Sequence, residues 1–262
     1  MLIYGAFLPH SPLLIPSVHP ENRDTLAETE NAIRQVSEYL YSLRPDVLCV
    51  ISGHGERYQD SFSMEVAPAY ETDLKTFGDL SHAHSFRPAT TLIDKLQRHL
   101  RKKAIPFTLS TRPILDYGVS VALRLTAEHL KEVRLLPIAY ADVSRKEHFT
   151  FGQALRDVLE ETPLRVAVLA VGDLSHCLTS GSPGGFCKEG AVFDAAVQEA
   201  LRGEGASALL SLPETLVEKA KESGYRPLVI LKGLFDRLIY RTEILSYEAP
   251  MDVGYLVAQF LL

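Results

Sequence analysis

The stretch LRVAVLAVGD, residues 164–173, is the strongest β-strand signal in the chain. It is almost wholly apolar and rich in valine, the pattern of a strand buried on both faces of a parallel sheet. A helical pattern at 148–162 precedes it, and three more follow at 189–202, 213–221 and 226–238. A buried strand enclosed by helical segments in this way predicts an α/β architecture.

The same alternation extends in both directions from this stretch. LIYGAFL (2–8) and PDVLCVIS (45–52) predict two more buried strands, with a helical pattern at 21–43 between them. No internal repeat or long linker interrupts the chain, so we expect one domain over residues 1–262, with a central, largely parallel but mixed sheet and helices on both faces. The remaining predicted strands are 63–68, 106–111, 133–142 and one or two within 240–262, and the remaining predicted helices are 89–103 and 118–130.

Composition limits the kinds of partner. The 262 residues are 46% hydrophobic and carry a formal charge of −6, which argues against a nucleic-acid or anionic-membrane partner. No apolar run reaches membrane-spanning length and no signal-peptide pattern opens the chain. Cys49, Cys177 and Cys187 are odd in number and scattered, which favours a reducing compartment over a disulfide framework or a thiolate zinc site. We therefore expect a cytoplasmic protein, with homo-oligomer formation left open.

Three of the nine histidines occupy one kind of position. His10 and His54 each lie two residues beyond a predicted strand, and His176 lies just past the 164–173 stretch. In open parallel sheets, ligands bind outside the carboxyl ends of the strands. A single such histidine is more often a cap or a core residue, whereas three at corresponding strand ends favour a shared site.

Two histidines and one carboxylate form a common metal-ligand set. The set leaves coordination positions open, and it suits non-haem Fe(II) oxygen chemistry as well as catalytic Zn(II). Glu222 is an attractive third ligand because Gly224 and Pro227 shape a turn into an apolar helix directly after it. By position, the candidate acids are Glu56, Asp173, Glu222 and Glu248.

The ordered motifs resemble the class III extradiol ring-cleavage dioxygenases, the LigB-like superfamily. Within it, the similarity is greatest to the small stand-alone branch related to Memo-type proteins, and it spans nearly the whole chain. Each motif is short, so the specificity lies in their order and separation. The motifs are FLPHSPLL (7–14), SGHG (52–55), GDLSHCLT (172–179), LTSGSPGGF (178–186), ESGYRPLVILKGLF (222–235) and LSYEAPMDVGYLVA (245–258).

The resemblance implies a role for each matching residue. His10 and His54 match the two iron-binding histidines, and Glu222 matches the carboxylate ligand. His176 matches the active-site acid/base that does not bind the metal, and Asp173 matches an acidic position that orients His176 or its loop. The implied reaction is Fe(II)-dependent cleavage of a catechol-type ring by O2.

Tyr117 departs from the family pattern. It stands in LDYGVSVAL (115–123), where a second substrate-contacting histidine is expected. A tyrosine hydroxyl can donate a hydrogen bond to a substrate, but its ordinary pKa of about 10 makes it a poor base at neutral pH. This difference affects the expected substrate more than the expected metal site, and it includes Tyr117 among the candidate catalytic residues.

Two other functions stay open at this point. One is a non-catalytic or redox-regulatory metal-binding protein of Memo type, and the other is a Zn(II)-dependent hydrolase at the same ligands. The HAH triplet at 82–84 (His82 and His84) resembles a metal motif, but we expect a loop there. Tyr4, Tyr140 and Phe186 are candidate walls of an aromatic pocket, although each equally suits the core.

Overall fold

The structure is a computed structural model that describes residues 1–19, 24–80, 83–130, 132–203 and 205–262. Within these residues, ten strands form one mixed sheet flanked by eight α-helices. The strands are β1 (Leu2–Leu8), β2 (Val47–Ser52), β3 (Phe62–Glu65), β4 (Tyr70–Glu71), β5 (Ser85–Pro88), β6 (Phe107–Ser110), β7 (Arg134–Ala139), β8 (Val166–Val171), β9 (Arg241–Glu248) and β10 (Tyr255–Leu261). The helices are α1 (Ala27–Leu43), α2 (Thr90–Lys102), α3 (Tyr117–Thr126), α4 (Arg145–Glu160), α5 (Lys188–Arg202), α6 (Ser207–Leu210), α7 (Glu214–Lys219) and α8 (Tyr225–Leu234).

The middle of the sheet is parallel and its outer parts are mixed. The strand order is β4-β5-β7-β2-β8-β1-β10-β9, and β3 pairs with both β6 and β7. Strands β7, β2, β8 and β1 run parallel to one another, whereas β10 lies antiparallel to β1 and β9 antiparallel to β10. The carboxyl ends of β2, β8 and β1 therefore lie side by side.

Strand β8 shows why the sheet is buried on both faces. Its side chains alternate between two hydrophobic clusters, with Val166 and Val168 in one and Ala167 and Leu169 in the other. Helices α2, α4, α5 and α8 cover the first face, and α1 and α3 cover the second. The predicted single α/β domain with a largely parallel, mixed sheet is confirmed.

The cysteines differ from the sequence expectation. Cys177 and Cys187 form a disulfide, with Cα atoms 5.3 Å apart, while Cys49 is free and buried. The backbone N–H of Cys187 donates to the carbonyl of Cys177 at 2.9 Å, so the loop folds back on itself and brings the two sulfur atoms together. The expectation of unpaired cysteines is wrong for this pair, because spacing along the chain does not report how a loop folds.

Candidate metal centre

Three neighbouring strands deliver the candidate side chains to one edge of the sheet. His10 follows β1, His54 follows β2, and Asp173 follows β8, each two residues past its strand. Because β2, β8 and β1 are adjacent and parallel, these residues meet at the carboxyl edge. A short 3-10 turn at Pro12–Leu14 holds the loop that carries His10.

Two imidazoles and a phenol converge at this edge. The Nε2 atoms of His10 and His54 lie 2.8 Å apart. The hydroxyl of Tyr117 lies 2.9 Å from Nε2 of His54 and 3.2 Å from Nε2 of His10. Tyr117 is the first residue of α3, whose N-terminus is capped by the Asp116 side chain. The three polar atoms therefore lie within hydrogen-bond distance of one another.

Asp173 connects His10 with His176. Its Oδ1 accepts the backbone N–H of His10 at 3.0 Å and lies 3.3 Å from the ring Nδ1 of His10. Its Oδ2 lies 3.7 Å from Nε2 of His176. Nδ1 of His176 is buried and has no hydrogen-bond partner in the described part of the chain. One carboxylate thus orients a candidate ligand and faces the candidate acid/base.

Burial and neighbouring charges set the protonation of the centre. Burial alone would lower the pKa of His10, but the Asp173 carboxylate outweighs it and raises that pKa. Conversely, burial would raise the pKa of Asp173, and His10 and His176 bring it below its ordinary value. Burial, followed by the nearby His10, lowers the pKa of His54 to about 4, so this ring is neutral at pH 7 and able to bind a metal.

Asp116 makes hydrogen bonds next to the centre, and the sequence patterns did not identify it. Its Oδ1 accepts hydrogen bonds from the hydroxyl of Ser52 at 2.9 Å and from the N–H of Val119 at 3.0 Å. A Cβ at Gly118 would lie 3.1 Å from Oδ1 of Asp116 and 3.3 Å from the His54 ring. The Asp-Tyr-Gly order at the start of a helical pattern was the available signal, because aspartate is a preferred N-cap.

Glu222 lies on a segment that is joined to Asp173. The backbone N–H groups of Ser223 and Gly224 both donate to the carbonyl of Asp173, at 3.1 and 2.9 Å. The Glu222 carboxylate accepts the N–H of Tyr225 at the start of α8. Burial raises the pKa of Glu222 to about 7, although the hydrogen bond from Tyr225 lowers it in part. The Glu222 segment therefore reaches the same edge, while its carboxylate caps α8.

The donor set partly fits a metal ion. Two nitrogen ligands at about 2.0–2.1 Å from one ion lie about 3 Å apart when they subtend a right angle, which is close to the His10–His54 separation. Asp173 beside Nδ1 of His10 is the type of outer carboxylate that orients a metal-binding imidazole. Among the described residues, however, no group of three histidine, cysteine, aspartate or glutamate side chains is arranged to hold a metal.

The other candidates from the sequence have different partners. Glu56 lies 3.4 Å from Arg112, and Glu248 accepts the N–H of Thr29 at 2.8 Å. His84 lies 3.4 Å from Glu128, and His82 lies outside the described residues. Of the three aromatic candidates, Tyr4 is buried in the core and Phe186 is exposed, whereas Tyr140 packs so closely on Gly53 that a Cβ there would lie 2.5 Å from its ring.

The chain is thus a single α/β domain whose sheet is covered on both faces and carries histidines at its carboxyl edge. Residues 4–258 match the family of the catalytic LigB subunit of aromatic ring-opening dioxygenases. The chain belongs to this family.

Two curated proteins are similar to this chain. Protein CA_C1420 of Clostridium acetobutylicum is 26% identical over 95% of this chain and 55% of its own length. A 2,3-dihydroxyphenylpropionate/2,3-dihydroxicinnamic acid 1,2-dioxygenase of Comamonas testosteroni is 25% identical over 64% of this chain and 54% of its own. The chain thus spans about half the length of these curated relatives.

A solved structure shares the fold. The crystal structure of uncharacterized protein JW3007 from Escherichia coli K12 superimposes with a TM-score of 0.66 at 18% identity. The match covers 98% of this chain and 99% of the other. Separately, none of the helices in the described part of this chain combines the length and apolar character needed to cross a bilayer.

Proposed function

We propose that this chain is an extradiol ring-opening dioxygenase for a catechol-type aromatic compound, with Fe(II) held by His10, His54 and Glu222. The observation that carries the proposal is the approach of the two Nε2 atoms to 2.8 Å beside a carboxylate that also faces His176. Membership of the LigB family supports the reaction class. Zn(II) is the alternative metal for the same ligands.

Each residue of the centre has a task in this reaction. Fe(II) bound there would supply coordination positions for both catechol oxygens and for O2. His176 accepts a phenolic proton and returns a proton later, while Asp173 stabilises the intervening imidazolium. Tyr117 stays protonated because burial, with Asp173 and Asp116 nearby, raises its pKa. It therefore acts as a hydrogen-bond donor to a substrate oxygen, not as a base.

The test is oxygen consumption by the protein after anaerobic loading with Fe(II), using a panel of catechols. His176→Ala should keep the metal and lose about 10²–10⁴-fold in turnover, the usual contribution of a general acid/base. His10→Ala should lose the metal itself, as measured by elemental analysis. His99→Ala, on α2, is the control and should retain both. Unchanged turnover in both His10→Ala and His176→Ala would refute the proposal.

A second candidate function is metal binding without ring cleavage. It is favoured by the Tyr117 hydroxyl, which lies against both Nε2 atoms where the family pattern expects a histidine. In that case the protein binds Fe(II) or Zn(II) through His10 and His54 but consumes no O2 with any catechol. Elemental analysis combined with the same oxygen assay separates the two functions.

A further inference from the structure

A cavity of about 490 Å³ lies away from the candidate metal centre. It is lined by residues at the end of α5, at the end of α8 and at the beginning of β9, and it opens to solvent. Glu222 precedes α8, whereas the cavity adjoins its last turn, so the two sites are about 15 Å apart along the axis of this ten-residue helix. The cavity is within the usual size range of small-molecule sites and much larger than a bare ion.

The inner wall of the cavity contains a buried lysine. Lys232 is 1% exposed, and its Nζ donates a hydrogen bond to the hydroxyl of Tyr240 at 3.0 Å. Nζ also lies 5.3 Å from the ring centre of Tyr240 and 5.7 Å from that of Phe260. Burial lowers the pKa of Lys232 to about 8, so the amine is still largely charged at pH 7.

This ammonium lacks a counter-charge within the described part of the chain. Tyr240 satisfies one of its three donors, and no carboxylate there pairs with it. Buried lysines are rare unless paired, because an uncompensated buried charge is strongly unfavourable. Among the described residues the two remaining donors have no partner, which suits them to an anionic ligand.

The described charges around the cavity are mainly positive. Arg202, Arg237 and Arg241 line it together with Lys232, and Asp236 is the acid among the described lining residues. Asp236 is already engaged, because it accepts a hydrogen bond from Gln153 at 2.8 Å and lies near two arginines. Arg202 pairs with Glu199 and Arg241 with Glu243, while Arg237 lies near Asp236; ion pairs close to the surface are weak enough to exchange for a better anion.

We propose that this cavity binds the phosphate group of a small phosphorylated metabolite, with the Lys232 ammonium and the Tyr240 hydroxyl as its inner contacts. Among the described lining residues the basic side chains outnumber the acidic ones, and a phosphate dianion matches this balance better than a single carboxylate does. Arginine guanidinium groups at the mouth suit phosphate oxygens through paired N–H donors. The volume left beyond the phosphate accommodates the organic part of the metabolite.

The experiment is calorimetric titration of the full chain with inorganic phosphate and, separately, with acetate. We expect saturable phosphate binding that Lys232→Met weakens by at least about tenfold, because the substitution removes a charged hydrogen-bond donor. Methionine matches the apolar stem of lysine and removes the buried charge, so the fold should persist. Lys188→Met, at the exposed start of α5, is the control and should bind phosphate normally.

Tyr240→Phe and Arg241→Gln provide independent readouts, and each should weaken phosphate binding by a smaller factor. They decide the question if Lys232→Met does not fold. Absence of saturable phosphate binding, equal binding by all of these variants, or tighter binding of acetate than of phosphate would each overturn the proposal. His10→Ala should bind phosphate like the unmodified chain, which keeps this test separate from that of the metal centre.

Discussion

At the residue scale, the Asp173 carboxylate contacts two of the candidate histidines. It receives the backbone of His10, faces the His10 ring and approaches His176, although it is almost fully buried. Its neighbours, not its burial, decide its ionisation. A carboxylate in this position is more important for orienting a ligand than for binding one.

Asp173→Asn should therefore lower metal affinity by about 10–100-fold, because it preserves the shape of the side chain but removes the negative charge next to Nδ1 of His10. Competitive titration with Co(II), followed by absorbance, measures this. Asp46→Asn is a matched control, because Asp46 also accepts a backbone N–H, from Arg165 at 2.7 Å, but does so at the amino end of β2. Equal affinities in the two variants would contradict the assigned role.

Asp194 makes stability depend on pH in the direction opposite to most aspartates. Burial raises its pKa to about 6, although Tyr247 and the N–H of Ser175 donate hydrogen bonds to it. The folded state then binds this proton more tightly than the unfolded state, so its contribution is greatest below about pH 4 and is lost as pH rises through 6. The loss is at most about 3 kcal/mol.

Asp194→Asn should remove this dependence, so the variant gains stability relative to the unmodified chain as pH rises. Urea unfolding across the mildly acidic to neutral range measures it. Asp157→Asn should show the reverse sign, because Lys103 and Arg156 outweigh burial and lower the pKa of Asp157. A difference between Asp194→Asn and the unmodified chain that does not vary with pH would be inconsistent with this account.

At the scale of elements, the end of β8 packs directly on the start of α8. A Cβ at Gly172 would lie 2.4 Å from the Cα of Gly224, so the two segments approach backbone to backbone. Gly172→Ala should destabilise the protein by about 1–3 kcal/mol, as overpacking does, and should also weaken metal binding by displacing the Glu222 segment.

Gly203→Ala serves as the comparison for Gly172→Ala. A Cβ at Gly203 would meet its nearest neighbour at 3.8 Å, an ordinary contact. This substitution should change the free energy of unfolding by less than about 1 kcal/mol. Urea unfolding and metal titration of both variants provide the measurement. Similar losses of stability and metal affinity in the two would show that the close β8–α8 contact does not matter more than an ordinary one.

The disulfide stabilises the loop that follows His176. Closing a loop of about ten residues reduces the entropy of the unfolded chain by an amount worth about 2–3 kcal/mol, and the separation here is 10. Cys187→Ser should lose roughly this stability in non-reducing buffer and should no longer respond to a reductant. Cys49→Ala should keep the response, because Cys49 is outside the bridge.

At the scale of the whole molecule, the centre joins the ends of three strands to the start of α8, so a bound metal should stabilise the complete fold. At a free metal concentration 100 times its dissociation constant, the gain is about 2.7 kcal/mol. For a chain of this size that raises Tm by about 5–10 °C. Thermal melts with metal and with a chelator test this, and His10→Ala should show no difference between them.

The local hydrophobic pattern of the sequence was sufficient to predict the middle of the fold. Strand β8 and helix α4 were predictable because their hydrophobic periods are strong. The antiparallel docking of β10 against β1 was not, since pairing between distant segments leaves no local trace. The short strands β4 and β5 lacked a readable alternation altogether.

The candidate centre was predictable to a similar extent. The meeting of His10, His54, Asp173 and His176 was foreseeable because strand ends share an edge. The dual contact of Asp173, the hydroxyl of Tyr117 against both imidazoles and the support from Asp116 depend on side-chain directions that spacing does not encode. The roles of these residues, and of Glu222 as a ligand, remain the predictions tested above.

The position of β1 has a consequence for the order of folding. Its neighbours are β8 and β10, and Tyr4 reaches Gln259 across 255 positions in sequence. Contacts so distant along a chain form slowly, because the intervening loop must first be closed. During synthesis, β1 therefore cannot pair with β10, its second neighbour in the sheet, until residues 255–261 have emerged. His10 therefore follows a strand whose second neighbour is the last strand of this sheet to be translated.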